Sequence, residues 1–357
     1  MSPVWTLHPL AALERHAARW DALNAAASGL PFLETRFLLP LAREFAGGGE
    51  RLALCADGDG PLQAAALLEP CGLGRWASFQ PSQLPLGPWL VAPGADGPAL
   101  ARALLRSLPL PALRLGLSQL DPRLNPRPAA APCLGLMDYI ETAWVDVTGD
   151  FDAYWEARGK NLRTNMRKQR SKLEADGVAM HFDRLRQPED MAAALVEYGR
   201  LETAGWKAGT GTAVHPDNAQ GRFYGAMLQA FGAAGRAEIW RLRFGEQVVA
   251  MDLCVAAGDT LVILKTAFDP SYRTISPAFL LKQEAFRQLF DEGRIRRIEF
   301  YGRLMEWHTR WTEQARTLYH LNIDRWSWVA ALQQRVAGLR ECKAAEQPAQ
   351  ASSGEAG

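Results

Sequence analysis

The segment KTAFDPSYRTISPAFLLKQEAFRQLF, Lys265 to Phe290, passes from the end of an apolar strand through a polar loop into an amphipathic helix. Apolar residues recur at helical spacing from Pro277 to Glu292. Ser276 is a favourable N-cap and Pro277 suits the first helical position, so the sequence predicts a helix that begins here. The start of a helix presents unpaired N–H groups and the positive end of its dipole, and it therefore favours an anion, although this turn contains no glycine.

The elements around this segment narrow the fold class. After Gly177 the pattern predicts a strand (VAMHFDRL), helices at 188–204 and 219–234, three strands joined by tight turns, the helix from Pro277, and the strands RIRRIEFY and ARTLYHLNIDR. This order, β-α-α-β-β-β-α-β-β, predicts an α+β (α/β) domain with a mostly antiparallel sheet and one parallel crossover.

The first half of the chain shows a fainter version of the same order. Two helices are predicted, at 10–24 and 34–45, followed by a hairpin with an Asp-Gly-Asp-Gly turn and a short strand, RWASF. Residues 81–132 are rich in proline and glycine and predict an irregular region with one helix near 98–108. The segments that begin at Gly60 and Gly245 occupy equivalent points, which suggests two copies of one domain plan.

Composition limits the classes of function. The 357 residues predict two domains, and a net charge of +1 gives no bulk field for nucleic acid. No run of about 18 apolar residues occurs and the first residues lack a signal-peptide pattern, so the sequence favours a cytoplasmic protein without a transmembrane segment. The five cysteines are scattered and the six histidines lack metal-site spacing. Neither a disulfide framework nor a metal site is expected.

A basic segment joins the two halves. RGKNLRTNMRKQRSKLEADG begins at Arg158 and has seven basic residues and no acid as far as Lys172. Its pattern predicts a helix at 158–175 with Arg163, Arg167 and Arg170 on one stripe. Three interpretations remain open: a solvated linking helix, a basic wall that faces an anionic cofactor or substrate, or an RNA contact.

Taken together, these motifs resemble the GNAT acyltransferases. In that family a strand ends at a Q/R-x-x-G-x-G/A loop whose N–H groups bind the pyrophosphate of coenzyme A, and the matching residues here are Arg273, Ser276 and Ala278. The segments GKNLRTNMRKQRSKLEADG, LETAGWKAGTGTAV, LKTAFDPSYRTISPAFLL and FYGRLMEWHTRW occur in the order typical of the BioF-like or CelD-like (cellulose biosynthesis) branch, related to the FemAB peptidyltransferases. The resemblance covers Phe151 to Arg325 and is only topological over residues 1–140. It implies a GNAT (acyl-CoA N-acyltransferase) fold with two tandem GNAT-like halves.

The resemblance also implies an activity and a set of residues. The protein would be an N-acyltransferase that uses acetyl-CoA or another acyl-CoA, without a metal, on a small-molecule or saccharide amine, in polysaccharide or cell-envelope metabolism. The implied cofactor-binding residues are Leu264, Lys265, Thr266, Arg273, Thr274, Ser276, Pro277 and Ala278. Candidates for proton transfer are Asp252, Tyr272, Tyr301 and His308. Candidates for acceptor binding are Glu202, Trp206, Lys207, Asp269, Trp307 and Trp311.

A structural role stays open for each of these residues. Asp252 suits a cross-strand salt bridge as well as a base, the tyrosines and tryptophans suit packing, the lysines suit structural ion pairs, and the loop suits ordinary helix capping. Two positions also depart from the BioF-like or CelD-like pattern. Ala278 stands where glycine is common and adds a Cβ, and His308 replaces a lysine.

Two other functions remain as alternatives. One is an aminoacyl-tRNA-dependent FemAB-like transferase whose basic helix contacts RNA, and the other is a non-catalytic GNAT-fold binding module. In either case the expected organisation is the same. A degenerate N-terminal GNAT-like half spans 1–145, and a C-terminal GNAT acetyltransferase domain spans 151–340 with the basic helix 158–175 at its start. A disordered tail spans 343–357.

Overall fold

The computed structural model describes residues 4–58, 60–204 and 213–331. The strands are β1 (Val4–Pro9), β2 (Arg51–Ala56), β3 (Leu62–Pro70), β4 (Arg75–Ser78), β5 (Trp89–Val91), β6 (Arg114–Leu120), β7 (Leu134–Asp146), β8 (Met180–Leu185), β9 (Ala237–Phe244), β10 (Gln247–Ala257), β11 (Thr260–Phe268), β12 (Arg297–Glu299) and β13 (Ala315–Asp324). The helices are α1 (Ala17–Ala27), α2 (Thr35–Phe45), α3 (Gly97–Ser107), α4 (Phe151–Glu156), α5 (Lys160–Ala175), α6 (Pro188–Ala204), α7 (Ala219–Gly232), α8 (Pro277–Glu292) and α9 (Glu306–Thr309).

One continuous sheet organises these elements. Its order is β1-β2-β3-β4-β6-β13-β7-β12-β11-β10-β9-β8, and β5 pairs with β3. Neighbouring strands are antiparallel except for β4 with β6 and β11 with β12, which are parallel. Parallel neighbours need a crossover connection, and α3 and α8 lie in these two crossovers.

The two ends of the sheet repeat one plan. The first set contains, in chain order, β1, β2, β3, β4, α3 and β6. The second set repeats this order with β8, β9, β10, β11, α8 and β12. In each set, two helices lie between the first strand and the second. The hairpins at Gly60 and Gly245 both join the second strand of a set to the third. The sequence similarity between these hairpins therefore reflects equivalent positions in two GNAT-like halves.

The halves exchange the strands that complete them. β7 follows the first set in sequence but pairs with β12, whereas β13 follows the second set but pairs with β6. Each exchanged strand carries an aspartate, which binds the arginine at the start of the strand that it pairs with. Arg114 donates two hydrogen bonds to Asp324 (2.7 and 2.8 Å), and Arg297 donates one to Asp146 (2.8 Å). The boundary predicted at residue 145 falls inside β7.

Helices cover both faces of the sheet. On one face α1, α2, α6 and α7 share a single apolar core that spans both halves. On the other face α3 packs on the first half, and α4, α5 and α8 pack on the second. α8 therefore lies directly behind β9, β10 and β11, where it positions the candidate site.

Several elements differ from the sequence prediction. The helix predicted at 10–24 starts as a 3-10 helix, Leu10–His16, before α1 begins. Strands β1, β5, β6 and β7 were not predicted. Prolines and glycines surround β6 and hide its pattern. Across 4–58, 60–204 and 213–331, no helix is long and apolar enough to cross a membrane and no group of histidine, cysteine or acidic residues could hold a metal. The predicted tail at 343–357 lies outside the described residues.

Candidate active site

The candidate site begins where β11 separates from β12. Their parallel pairing covers only Thr260 to Val262 opposite Arg297 to Glu299, whereas β11 continues to Phe268. The register of β10 with β11 also shifts at this point, because Leu253 pairs with Lys265 and Cys254 with Ile263, so that Leu264 forms a bulge. We call the gap beyond Val262 and Glu299 the strand opening. Three predicted cofactor-binding residues, Leu264, Lys265 and Thr266, form its β11 wall.

The loop between β11 and α8 is held by Asp269. Its carboxylate accepts hydrogen bonds from the Ser271 N–H (2.9 Å), the Ser271 hydroxyl (2.6 Å) and the Gln247 amide (3.1 Å). The Tyr272 hydroxyl donates to Gln247 Oε1 at 2.9 Å. Asp269 and Tyr272, predicted as acceptor-binding and catalytic residues, thus fasten the loop to the β9–β10 hairpin.

Ser276 adopts an unusual backbone conformation at the start of α8. Its φ of 55° and ψ of 54° lie in the left-handed region, and its side chain makes no capping hydrogen bond. Ser276 does occupy the N-cap position that the sequence analysis favoured, but its side chain does not cap the helix. The chain adopts a glycine-like conformation without a glycine, at a cost of about 1–2 kcal/mol.

This conformation leaves the start of α8 free of a side-chain cap. Pro277 has no N–H, and the Ser276 carbonyl accepts from Phe279 and Leu280 N–H groups. Among the described residues, the Ala278 N–H donates to no protein acceptor. Arg273 and Thr274 are exposed in the adjoining loop, and the Arg310 guanidinium lies 5.6 Å from the centre of the Phe279 ring. Arg310 is itself paired with Glu306 at 2.8 Å, so the positive character of the uncapped start of α8 comes from the helix dipole and from Arg273.

Asp252 lies beneath the strand opening in a buried ion pair. Lys282 of α8 donates to both oxygens of Asp252, at 2.9 and 3.2 Å, and to the hydroxyl of the exposed Thr266 at 3.1 Å. Asp252 is 0% exposed and Lys282 is 2% exposed. Asp252 was predicted as a base with a possible cross-strand salt bridge as the alternative. It forms a salt bridge, but with a helix rather than a neighbouring strand.

Lys282 was missed in the sequence analysis. It lies in the first turns of α8 on the stripe that continues with Phe286 and Leu289, both of which are buried. A lysine on the apolar stripe of an amphipathic helix was the available signal, because a buried lysine requires an acidic partner.

Trp307 and His308 pack next to this ion pair. The Lys282 ammonium is 5.3 Å from the centre of the Trp307 ring, and His308 stacks on Trp307 with ring centres 3.5 Å apart. Burial lowers the pKa of His308 to about 4, with a smaller contribution from the Lys282 charge. The Nδ1 atom accepts from the Met305 N–H at 2.9 Å. His308 is therefore neutral at neutral pH with its proton on Nε2, and an imidazolium acid is not available there.

The opposite face of β11 carries Lys265. Its ammonium is 2.7 Å from Glu202 Oε1, and Glu202 Oε2 accepts from the Val214 N–H at 2.7 Å. The Tyr224 ring centre lies 5.1 Å and the Tyr198 ring centre 5.9 Å from the same ammonium. Burial raises the pKa of both tyrosines, with the Glu202 charge adding to it, so both hydroxyls stay protonated. Lys265 and Glu202, proposed separately from sequence, are thus one pair.

Tyr301 belongs to a second buried network at the end of β12. Its hydroxyl donates to Asp121 Oδ2 at 3.0 Å, and Arg316 of β13 contacts both Asp121 (2.7 Å) and Glu299 (2.9 Å). Burial raises the pKa of Tyr301 and of Glu299. The network joins residues of both halves, and Tyr301 is already engaged as a donor within it.

The remaining acceptor-binding predictions have different outcomes. Trp311 is completely buried against Phe279, Phe286 and Trp155, so it is a core residue and not a wall of the site. Trp206 and Lys207 lie outside the described residues.

The equivalent position in the first half is closed. The chain between β4 and β5 fills it, because the Gly87 N–H donates to the Ser118 carbonyl at 3.1 Å and Phe79, Leu84 and Leu86 are buried. The Asp96 carboxylate caps α3 through the Ala99 N–H at 2.9 Å. A carboxylate at this helix end disfavours a bound anion, so the strand opening and the uncapped helix occur together only in the second half.

A comparison with protein families matches part of the chain. Residues 160–326 match the family model described as an acetyltransferase (GNAT) domain. No curated protein matches the chain significantly.

Several solved structures are similar across nearly the whole chain. One is the C-terminal domain of a putative lysylphosphatidylglycerol synthetase from Agrobacterium fabrum, with 15% identity, 91% of this chain and 96% of that chain covered, and a TM-score of 0.56. A conserved protein of unknown function from Bacteroides thetaiotaomicron has 11% identity, coverage of 86% and 97%, and a TM-score of 0.56. FemX has 10% identity, coverage of 87% and 96%, and a TM-score of 0.54. The chain thus has a GNAT fold, and its residues 160–326 match the model of the GNAT acetyltransferase domain.

Proposed function

We propose that the protein is an acyl-CoA-dependent N-acyltransferase whose donor binds in the strand opening. The observation that carries this proposal is the bulged β11, which separates from β12 directly before the uncapped start of α8. The donor's pyrophosphate would bind the Ala278 N–H and Arg273, and its thioester would lie along Leu264 to Ala267. Backbone N–H groups there would bond the thioester carbonyl and stabilise the developing negative charge.

The reaction would be direct transfer to an acceptor amine. The amine nitrogen attacks the thioester carbon, the carbon–sulfur bond breaks, the amine loses a proton and the thiolate gains one. Glu202, on the α6 side of β11, is the candidate to attract the acceptor ammonium, which would share the carboxylate with Lys265 and the Val214 N–H. Asp252, Tyr301 and His308 are held in buried contacts. The Tyr272 hydroxyl also donates, to Gln247, but this contact is exposed, so Tyr272 is the candidate to exchange that bond and donate a proton to the thiolate. The sequence motifs alone support two further parts of the proposal. The acceptor would come from polysaccharide or cell-envelope metabolism, and the protein would belong to the BioF-like or CelD-like branch.

Titration of acetyl-CoA by calorimetry tests the donor site. We expect saturable binding by the folded protein, weakened at least about tenfold by Ala278→Leu because a larger side chain blocks the approach of a phosphate to the Ala278 N–H. Gln288→Leu, on the exposed face of the same helix, is the matched control and should bind normally. Absence of binding by the wild-type protein, or equal binding by Ala278→Leu, would count against the site.

The aminoacyl-tRNA alternative depends on the exposed cations of α5. Arg163 is paired with Glu156, Arg170 with Glu284 and Lys172 with Asp176, so those charges are largely neutralised. Lys160, Arg167 and Lys168 are exposed and are the better residues to replace. A salt-sensitive affinity for tRNA that falls on neutralising these three residues, together with failure to bind acetyl-CoA, would favour this alternative. Thiol release from acyl-CoA with a panel of amines would exclude a non-catalytic module.

A further inference from the structure

A patch of exposed apolar side chains projects from three neighbouring loops of the first half. Leu73 is 94% exposed, Leu110 75%, Trp328 57% and Trp326 44%. We call these four residues the loop-tip patch. Large apolar side chains are usually buried, so a group of exposed ones on separate loops indicates an interaction surface.

Backbone hydrogen bonds hold the three loops together. The Leu113 N–H donates to the Gly74 carbonyl at 2.7 Å, and the Arg325 N–H donates to the Leu113 carbonyl at 2.9 Å. The Arg325 side chain also donates to the Leu105 and Ala112 carbonyls, at 3.2 and 3.3 Å. The patch is therefore a fixed feature of the surface.

Leu73 occupies a position that the fold itself does not favour for leucine. It lies at the tip of the β3–β4 hairpin with φ of 49°, between Gly72 and Gly74, which also have positive φ. A branched apolar residue in the left-handed region costs free energy, and at 94% exposure it gains little from packing. Packing within the described residues therefore gives no reason for a leucine at this position.

The charges around the patch are mostly positive. Arg75 and Arg106 are exposed and Arg325 is partly exposed. Among the described residues, Glu69 of β3 is partly buried, and Asp324 at the end of β13 is already bonded by Arg114. Protruding leucines, tryptophans that lie stacked at the surface, and surrounding arginines are the combination that binds the interface of an anionic bilayer.

The strand directions place this patch at the same end of the sheet as the strand opening. β12 and β13 are both antiparallel to β7, and β11 is parallel to β12. The carboxyl ends of β11 and β13 therefore point the same way, and Trp326 and Trp328 follow the end of β13. We infer that the loop-tip patch docks the protein on an anionic lipid surface, with the strand opening at the membrane-proximal end.

Co-sedimentation of the full chain with phospholipid vesicles tests this inference independently of any acyl transfer. We expect binding to vesicles of phosphatidylcholine mixed with phosphatidylglycerol, and at least about tenfold weaker binding to phosphatidylcholine alone. The variant Trp326→Ser/Trp328→Ser should lose most of the binding, as should Leu73→Ser/Leu110→Ser. Arg75→Gln/Arg106→Gln should weaken it and reduce its dependence on salt.

Val4→Ser is the matched control, because Val4 is equally apolar and 62% exposed but lies outside the patch. It should bind vesicles as the wild-type protein does. All variants would be compared for thermal unfolding, since exposed substitutions should leave the fold intact. Wild-type protein that ignores anionic vesicles would overturn the inference. So would a concentration-dependent dimer that the tryptophan variant abolishes, which would assign the patch to self-association.

Discussion

Ser276 gives the loop before α8 a left-handed backbone conformation without a glycine. Its left-handed φ and ψ are those that a glycine adopts without strain, and its side chain supplies no capping bond in return. The residue therefore carries conformational strain at the start of α8, beside the proposed phosphate position. Strain of this kind persists at sites where the surrounding structure fixes the backbone.

Replacing Ser276 with glycine should stabilise the protein. Relief of about 1–2 kcal/mol of strain is opposed by a loss of about 0.5–1 kcal/mol from the added freedom of the unfolded chain, so we expect a net gain of up to about 1.5 kcal/mol. Ser276→Val should lower the free energy of unfolding, because a β-branched residue fits this region poorly. Urea denaturation measures both changes.

Ser171→Gly provides the opposite control. Ser171 is exposed inside α5, where glycine should cost about 0.5 kcal/mol of helix stability. If Ser276→Gly and Ser171→Gly destabilised the protein equally, the left-handed conformation of Ser276 would be without energetic consequence.

Sequence patterns identified the residues around the site better than their roles. Arg273 to Ala278 were recognised because a strand, a polar loop and a helix follow one another in the chain. Asp252 was recognised as a polar residue among apolar neighbours, but its partner Lys282 is 30 positions away on a helix that crosses behind the sheet. Such a pairing depends on how the crossover packs, which no local pattern encodes.

At the scale of elements, the Lys282–Asp252 pair fastens α8 to β10. The helix packs on β9, β10 and β11, and Lys282 reaches past the apolar contacts to a fully buried carboxylate and to Thr266 at the strand opening. Removing one member leaves the other charge buried without compensation, which is far more costly than losing an exposed pair. The position of α8 relative to the strand opening therefore depends on this contact.

We expect Lys282→Met to lower the free energy of unfolding by about 3–5 kcal/mol. Lys282→Met/Asp252→Asn should cost less than the two single changes added together, because the double variant leaves no unpaired charge. Chemical denaturation of the four proteins measures this coupling. Lys172→Met, which removes an exposed pair with Asp176, should cost less than about 1 kcal/mol. A similar small effect for Lys282→Met would show that α8 does not need the buried contact.

The periodic elements of the second half were predictable because each carries its own signal. α8 begins at Pro277 and ends at Glu292 as predicted, since Pro277 fixes its start and Gly293, at φ of 62°, ends it. β6 and β7 had no such signals. They form because β13 lies between them, a contact between residues separated by about two hundred positions, and this long-range pairing overrides weak local preference.

At the scale of the whole molecule, strand exchange makes the two halves one folding unit. β13 completes the sheet of the first half through β6, and the Arg114–Asp324 pair adds a charged contact at 2.7 Å across that junction. The corresponding Arg297–Asp146 pair fastens β7 to the second half. The sheet of each half is completed by a strand that follows the other half in the sequence. Loss of β7 or β13 should therefore expose a new sheet edge in the half that the strand completes.

A chain that ends at Glu313, and so lacks β13, should therefore lose order in the first half. Hydrogen exchange measures this loss, and we expect the amides of β6 and of residues 134–143 to lose protection even though both precede the truncation. A chain that ends at Ala331 keeps β13 and is the matched control, in which β6 should remain protected. If the chain ending at Glu313 kept a protected β6 and unfolded at the same temperature as the control, the halves would be independent domains that merely adjoin. Cooperative loss across both halves would instead mean that the strand opening in the second half is supported by strands of the first.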